Sequence, residues 1–458
     1  MDKIFNRINL ITIIYIIILI PLFFLDKTLD AYYSYDLITY EYHQLLWYSL
    51  PILIVIYLYN LIRKKANFGK LDILIIIMIV LNVIVTKNAI DKDMSMWGNN
   101  FRHEGFVTLT TYYLIFLNSK CLLKRKWITT IIYTFIGIGI LQFIFCFMQM
   151  YFKDLLSLEL VYKTNSNMAS GFIGNPNFMG SFIILLLGFV VVKYLTNEKH
   201  WIWHLLLTII FFINLLFTQS TGPFLGFIVM IIFILIFLII KKKLHIIRYI
   251  ILVVLLIGTY FGIDYSMSIN KAINSNIRDK SYTISYDLKQ LYRALKGELK
   301  VDESMQEEGI VDYRYSEIPK EDNLDGLGSG RIMIWKNTLK IVPDYLYLGC
   351  GIDNFGNAYK WHSLVHYDKA HNDYLQILVT RGIFSLIAYL LFLLILFIRG
   401  IKSKDPLVWG ILLSIIGYSA QIFTNISVIK VAPSFFIVCG LLAALTDKEK
   451  SKSKLKSN

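Results

Sequence analysis

The chain has 458 residues, 56% of them hydrophobic and 17% charged, with a mean hydropathy of +0.57. A soluble core has no room for so much apolar side chain, so composition excludes an ordinary globular domain and points to an integral membrane protein. The formal charge of +14 raises nucleic acid as a partner, but the basic residues sit where membrane topology requires them, and no nucleic-acid partner is expected.

Apolar runs long enough for membrane spans cover Asn9 to Leu25, Leu45 to Ile62, Leu71 to Val85, Phe106 to Leu123, Trp127 to Met150 and Phe178 to Leu195. They continue over Trp201 to Thr218, Gly222 to Ile240, Ile246 to Ile263, Tyr374 to Ile398, Leu407 to Thr424 and Val431 to Leu445. Each run must satisfy its own backbone hydrogen bonds in hydrocarbon, so the reading is an all-α integral membrane protein of about twelve transmembrane helices. No small-x-small cleavage pattern follows Leu25, so the first run reads as an uncleaved anchor rather than a signal peptide.

Alternate connections gather the basic residues: Arg63 to Lys70, Lys120 to Lys126, Lys193 with Lys199, Lys241 to Arg248, Arg399 to Lys404, and a lysine–serine tail. The positive-inside rule then puts both termini in the cytoplasm and turns the large loop between helices nine and ten outward. The expected division is 1–264 for helices one to nine, 265–371 for the extracytoplasmic loop, 372–446 for helices ten to twelve, and 447–458 for a disordered basic cytoplasmic tail. Cys146 and Cys439 fall inside helices, Cys121 near the cytoplasmic edge and Cys350 in the outward loop, a spread that predicts neither a disulfide nor a cysteine zinc site. Gln142, Gln149, Asn214 and Gln421 read as interhelical contacts.

The outward connections carry the polar detail. Asp91-Lys92-Asp93 offers an acidic pair. Phe101-Arg102-His103-Glu104-Gly105 sets an arginine and a carboxylate before an apolar run, and Gly171-Phe172-Ile173-Gly174-Asn175-Pro176-Asn177 is a tight turn into a helix start that its asparagines can cap. Ser220-Thr221-Gly222-Pro223 is a similar short turn. In the long loop, Asn270 to Lys300 has helical amphipathic spacing and Val301 to Asp325 is acidic. Gly328-Ser329-Gly330-Arg331 then opens a second amphipathic segment, with Ile332, Ile334, Trp335, Leu339 and Ile341 apolar, Lys336 and Lys340 polar, and Pro343 at its end. Free backbone N–H groups at that helix start favour an anion, and the Arg331 fork suits phosphate oxygens; a helix cap with a snorkelling arginine is the plain alternative. His362 and His366 have metal-pair spacing but no third ligand at hand. His371, followed by Asn372 and Asp373, stands where the loop rejoins the membrane, and an imidazole suits general-base work there.

Taken in order, Gly328-Ser329-Gly330-Arg331 with Trp335, Pro343, the Gly349-Cys350-Gly351 turn, Phe355, His371-Asn372-Asp373-Tyr374-Leu375 and Arg381-Gly382-Ile383 resemble the O-antigen ligase and polymerase superfamily. Asn175-Pro176-Asn177 and Arg102-His103-Glu104-Gly105 belong to the same resemblance. It implies a glycosyltransferase that moves a glycan from an undecaprenyl diphosphate carrier to an acceptor hydroxyl without a metal or other cofactor. Partners would be the lipid-linked donor, a glycan or lipid–glycan acceptor, and membrane lipids. Under it, Arg331 matches the arginine that engages the diphosphate and His371 the histidine that activates the acceptor. Arg102 would be a second cation oriented by Glu104, and Asn175, Asn177, Ser329, Lys336 and Asn372 would contact diphosphate or glycan. Many relatives carry an arginine in the turn before helix eight, where this chain has Thr221. Two other readings stay open. One is a metal-dependent polyprenyl-phosphate sugar transferase built on Asp91 and Asp93. The other is a non-enzymatic polysaccharide transporter or flippase, against which stands the lack of a buried charge ladder or inverted repeat in the sequence.

Overall fold

The computed structural model describes residues 2–22, 34–63, 68–100, 102–122, 124–152, 168–196, 199–240, 245–273, 331–362 and 367–457. Among them every regular element is helical. In chain order these are α1 (Asp2–Leu22), α2 (Ser34–Ile62), α3 (Lys70–Lys87), α4 (Lys92–Trp97), α5 (Phe106–Lys120), α6 (Arg125–Tyr151), α7 (Pro176–Thr196) and α8 (Trp201–Phe217). There follow α9 (Thr221–Ile240), α10 (Ile246–Ile273), α11 (Arg331–Tyr345), α12 (Phe355–Trp361), α13 (Asp373–Lys402), α14 (Pro406–Gln421) and α15 (Ala432–Ser457). Each predicted apolar run falls on one of these helices, and seven of them, α1, α2, α6, α7, α9, α10 and α13, are long and apolar enough to cross a membrane. The amphipathic helix expected over Asn270 to Lys300 and the acidic stretch 301–325 lie almost wholly outside the described residues.

The core is built around α7, whose apolar residues are buried all round, the pattern of a helix with no lipid-facing side. Small residues let its neighbours approach closely. A Cβ at Gly188 would meet the Ser414 backbone nitrogen at 2.4 Å, and one at Gly180 would meet Pro223 at 2.6 Å. The Ser414 hydroxyl donates to the Leu185 carbonyl at 2.6 Å, which pins α14 to α7. On the other side α15 packs against α5, where a Cβ at Gly440 would lie 2.7 Å from the Phe116 carbonyl oxygen.

Helix ends gather at two opposite faces. At one, α3 begins while α5, α13 and the apolar part of α15 end, and their charges meet. Asp72 pairs with Lys120 in a short contact, Lys120 approaches Asp447 at 3.8 Å, and Arg399 holds Asp447 at 2.8 Å. Such a buried network is not legible in the sequence, because its members sit at four separate helix ends that only packing brings together. The tail also differs from expectation: α15 continues to Ser457, with alanine, lysine and glutamate favouring helix and no glycine or proline after Gly440 to stop it.

At the opposite face, α11 and α12 form a small cap. Ile341, Cys350, Phe355, Ala358, Tyr359, Ala370 and Val379 make its core, and Tyr359 donates to the Ile334 carbonyl at 2.7 Å. The predicted run Tyr374 to Ile398 is broken at Gly382, whose φ of +78° interrupts α13. The cap supplies the partners the break leaves over. Cys350 N donates to Val379 O at 2.8 Å, Gly351 N to Thr380 O at 3.1 Å, and Ile383 N to Leu346 O at 2.7 Å. All four cysteines are buried and free.

Candidate active site at the capped face

Three segments converge under the cap: residues 98–105 ahead of α5, residues 367–373 ahead of α13, and the turn 349–354. Asn99 folds the first, accepting from the Arg102 backbone N–H at 2.7 Å, while Gly98 (φ +93°) and His103 (φ +50°) turn the chain back on itself. The Arg102 guanidinium thereby reaches Asp368, with Nε and a terminal nitrogen 2.8 and 2.7 Å from Oδ2, and lies 5.9 Å above the Phe178 ring. Burial pushes the Asp368 carboxyl upward, but the guanidinium more than offsets it and holds the group below its ordinary value.

Glu104 was expected to orient Arg102, and the structure differs. Its carboxylate takes Lys369, 3.1 Å away, and the Tyr112 hydroxyl at 3.4 Å. Lys369 is shared with Asp353 at 2.8 Å, and Asp353 also accepts from the Asn99 backbone N–H at 2.8 Å. Two buried carboxylates therefore divide one ammonium. Burial raises Glu104, Lys369 only partly counters this, and its pKa comes to about 7. Burial works against the Lys369 charge, yet Asp353 and Glu104 together push its pKa up. A cleft of about 60 Å³, with room for a few waters, opens beside this group and is lined also by Asp373, Arg381, Gln376 and Ser427.

His371 occupies a left-handed backbone conformation (φ +49°), unusual outside glycine and asparagine. The next residue fixes the helix start. The Asn372 side chain accepts from the backbone N–H groups of Tyr374 and Leu375, each at 3.1 Å. Asp373 is tied to the α14–α15 connection, its N–H donating to Ile422 O at 2.9 Å and its carboxylate accepting from Ser427 at 3.0 Å. Burial, and after it the Arg331 guanidinium, lowers the His371 pKa to about 4; Asp368 opposes, while Arg102 and Lys369 add to the lowering. The imidazole therefore favours its neutral form at physiological pH, within the field of both Arg331 and Arg102. Arg331 opens α11, which lies across the α14–α15 connection with Trp335 edge-on to Phe423 at 5.5 Å.

The structure thus brings Arg331, His371, Arg102 and Glu104 to one face. Ser329 lies outside the described residues, and Lys336 is exposed on α11. The three asparagines all have hydrogen-bond partners within the chain. Asn175 accepts from the Asn177 N–H at 2.9 Å at the start of α7, the Asn177 side chain accepts from Ser220, and Asn372 caps α13. His362 lies 3.3 Å from Asp344, and His366 is outside the described residues. Asp91 caps α4, accepting from Met94 N–H at 2.9 Å. Among the described residues no three His, Cys, Asp or Glu side chains are grouped to hold a metal ion.

Sequence reasoning missed Asp353, Asp368, Lys369 and Lys430. The Asp368-Lys369 pair just before His371 was a usable signal, since charges at a membrane boundary that are not needed for topology tend to be engaged. Lys430 stands between isoleucine and valine near an expected helix start, and it is fully buried, its Nζ donating to Ile173 O at 2.8 Å. Burial pushes its pKa down to about 7.

Residues 206–390 match the family model described as O-antigen ligase. No curated protein matches the chain. The matched stretch runs from α8 through the break in α13 and takes in Arg331, Lys336, His371 and Asn372, while Arg102, Glu104, Asn175 and Asn177 lie before it.

Proposed function

We propose that this chain, which carries an O-antigen ligase domain over residues 206–390, moves a glycan from an undecaprenyl diphosphate carrier to an acceptor hydroxyl. The step serves cell-surface polysaccharide biosynthesis, as final attachment or as polymer extension. The observation that carries the reading is geometric: His371 stands in a left-handed turn three residues after Asp368, which Arg102 holds at 2.7 Å, at the face where Arg331 opens α11. In the proposed topology twelve helices span the membrane, both termini are cytoplasmic, and 265–371 faces outward.

The chemistry balances without a further reactant. The acceptor oxygen attacks the anomeric carbon, its proton passes to His371, and the bond to the diphosphate oxygen breaks with its electron pair leaving on the diphosphate. Arg331 and Arg102 stabilise the charge that develops there. A pKa near 4 makes His371 a weak base while the site is empty. Burial is the larger cause of that lowering and arginine charge the next; an arriving diphosphate offsets the arginine part and so raises the basicity of the imidazole in part. The Glu104–Lys369–Asp353 group fixes the segment that carries His371. Asp91, taken up as a helix cap, gives the metal-dependent alternative no support.

In cells whose surface glycan depends on this chain, Arg331→Ala and His371→Ala are expected to abolish that glycan while the protein still inserts. Unchanged product in both variants would sink the proposal.

A further inference from the structure

Between Asp368 and Asn372 the chain divides into a fixed frame and two side chains left half-exposed. Lys369 is held by Glu104 and Asp353, the Ala370 N–H donates to the Gln376 side chain at 2.8 Å, and Asn372 caps α13; these three residues are buried. Asp368 and His371 are half-buried only. Asp368 meets Arg102 through a single oxygen, Oδ2, which Nε and a terminal nitrogen approach at 2.8 and 2.7 Å. The Arg102 and Asp368 side chains are 20% and 33% exposed, against 7% or less for Lys369, Glu104 and Asp353. The Arg102 pair is therefore open to exchange with a ligand, whereas the Lys369 group is sealed.

A diphosphate arriving at this face competes with Asp368 for the Arg102 fork, and as the more highly charged partner it is favoured there. A general base works best when a third group orients it, and a carboxylate beside an imidazole stabilises the imidazolium that forms. Glu104 and Asp353 are committed to Lys369, and Asp373 to Ser427. Asp368 stands three residues from His371, and the charge of each favours the charge of the other. We propose that Asp368 is the positioning residue for His371: when a donor diphosphate takes the Arg102 guanidinium, the released carboxylate turns to the imidazole, orients it and stabilises the imidazolium. The proposal rests on the transfer reading above. The proton comes from the acceptor hydroxyl and stays on His371, Asp368 remains ionised throughout, and no further reactant is needed.

The test uses the full chain in detergent with labelled histidine, and follows the His371 imidazole by NMR titration, assigned by its loss in His371→Gln, with and without undecaprenyl diphosphate. In wild type the carrier should raise the His371 pKa by about one unit or more. Asp368→Asn should lose at least half of that rise, and Asp368→Glu should keep it. In transfer assays Asp368→Asn should lower kcat at least tenfold with the donor KM unchanged or reduced, because nothing then competes for Arg102. A carboxylate that only anchors Arg102 would act the other way, raising the donor KM at wild-type kcat. That result, a carrier-induced rise of equal size in Asp368→Asn, or a wild-type titration indifferent to the carrier overturns the proposal. An Asp368-dependent rise in a chain that forms no product would support the pair and refute the transferase reading instead.

Discussion

Replacing Lys369 by methionine removes the cation that two buried carboxylates share. The ammonium lies 2.8 Å from Asp353 and 3.1 Å from Glu104, and none of the three side chains is more than 7% exposed. Deleting one partner of a buried ion pair costs about 3–5 kcal/mol, because the remaining charge stays in low dielectric. Glu104 moderates this cost near neutral pH. Its pKa in the folded chain is about 7 against an ordinary 4.5, so it favours the folded state at low pH and loses that contribution as pH rises from 4.5 to 7. Without Lys369 the folded-state pKa moves higher still. The gap between wild type and Lys369→Met should therefore stay near 3 kcal/mol below pH 7 and widen by up to about 1.4 kcal/mol per unit above it. Thermal unfolding in detergent at pH 6, 7 and 8, for wild type, Lys369→Met, Glu104→Gln and the double variant, measures the gap. Glu104→Gln should abolish the widening and recover part of the loss. A Lys369→Met protein as stable as wild type at every pH, or a gap that narrows with rising pH, would refute the buried shared-charge account.

Burial and, after it, the Arg331 charge lower the His371 pKa to about 4, so in Arg331→Gln, followed by NMR titration of the imidazole because transfer itself is expected to be lost, the pKa should rise above the wild-type value; an unmoved titration contradicts the electrostatic coupling. Gly382→Ala forces a Cβ to within 2.1 Å of Tyr347 O at a φ of +78°, and a loss of about 2 kcal/mol or more is expected in thermal unfolding, with wild-type stability as the contrary result. Asn372→Ala should cost about 1 kcal/mol as a lost helix cap and Asn372→Asp close to nothing; full loss of activity at unchanged stability would instead make Asn372 a substrate contact. Lys430, lowered to about 7, binds its proton more weakly folded than unfolded, so stability should rise with pH from 7 toward 10.5 in wild type, and Lys430→Met should lose that slope.

The helices were legible because each apolar run has to close its own hydrogen bonds, a requirement that period and length express locally. That Arg331 and His371 come to one face was legible through motif order. The pairing of Arg102 with Asp368 rather than Glu104 was not, since a residue two places away in the chain is a nearer guess than one brought in by the cap. The break at Gly382 was hidden for a related reason: only the cap segment 346–351, distant in sequence, supplies partners for the backbone groups that a left-handed residue leaves over inside an apolar run. The asparagines expected to contact diphosphate or glycan also have backbone and hydroxyl partners within the chain, a common use of asparagine at helix starts that their spacing did not specify.

The most direct test is reconstitution. Purified chain in liposomes, given an undecaprenyl-diphosphate-linked glycan and a hydroxyl-bearing acceptor, should yield joined glycan and free undecaprenyl diphosphate in equal amounts, with none from Arg331→Ala or His371→Ala. Transfer that persists at the wild-type rate in both variants, or lipid-linked glycan moved across the bilayer with no bond formed, would contradict the account.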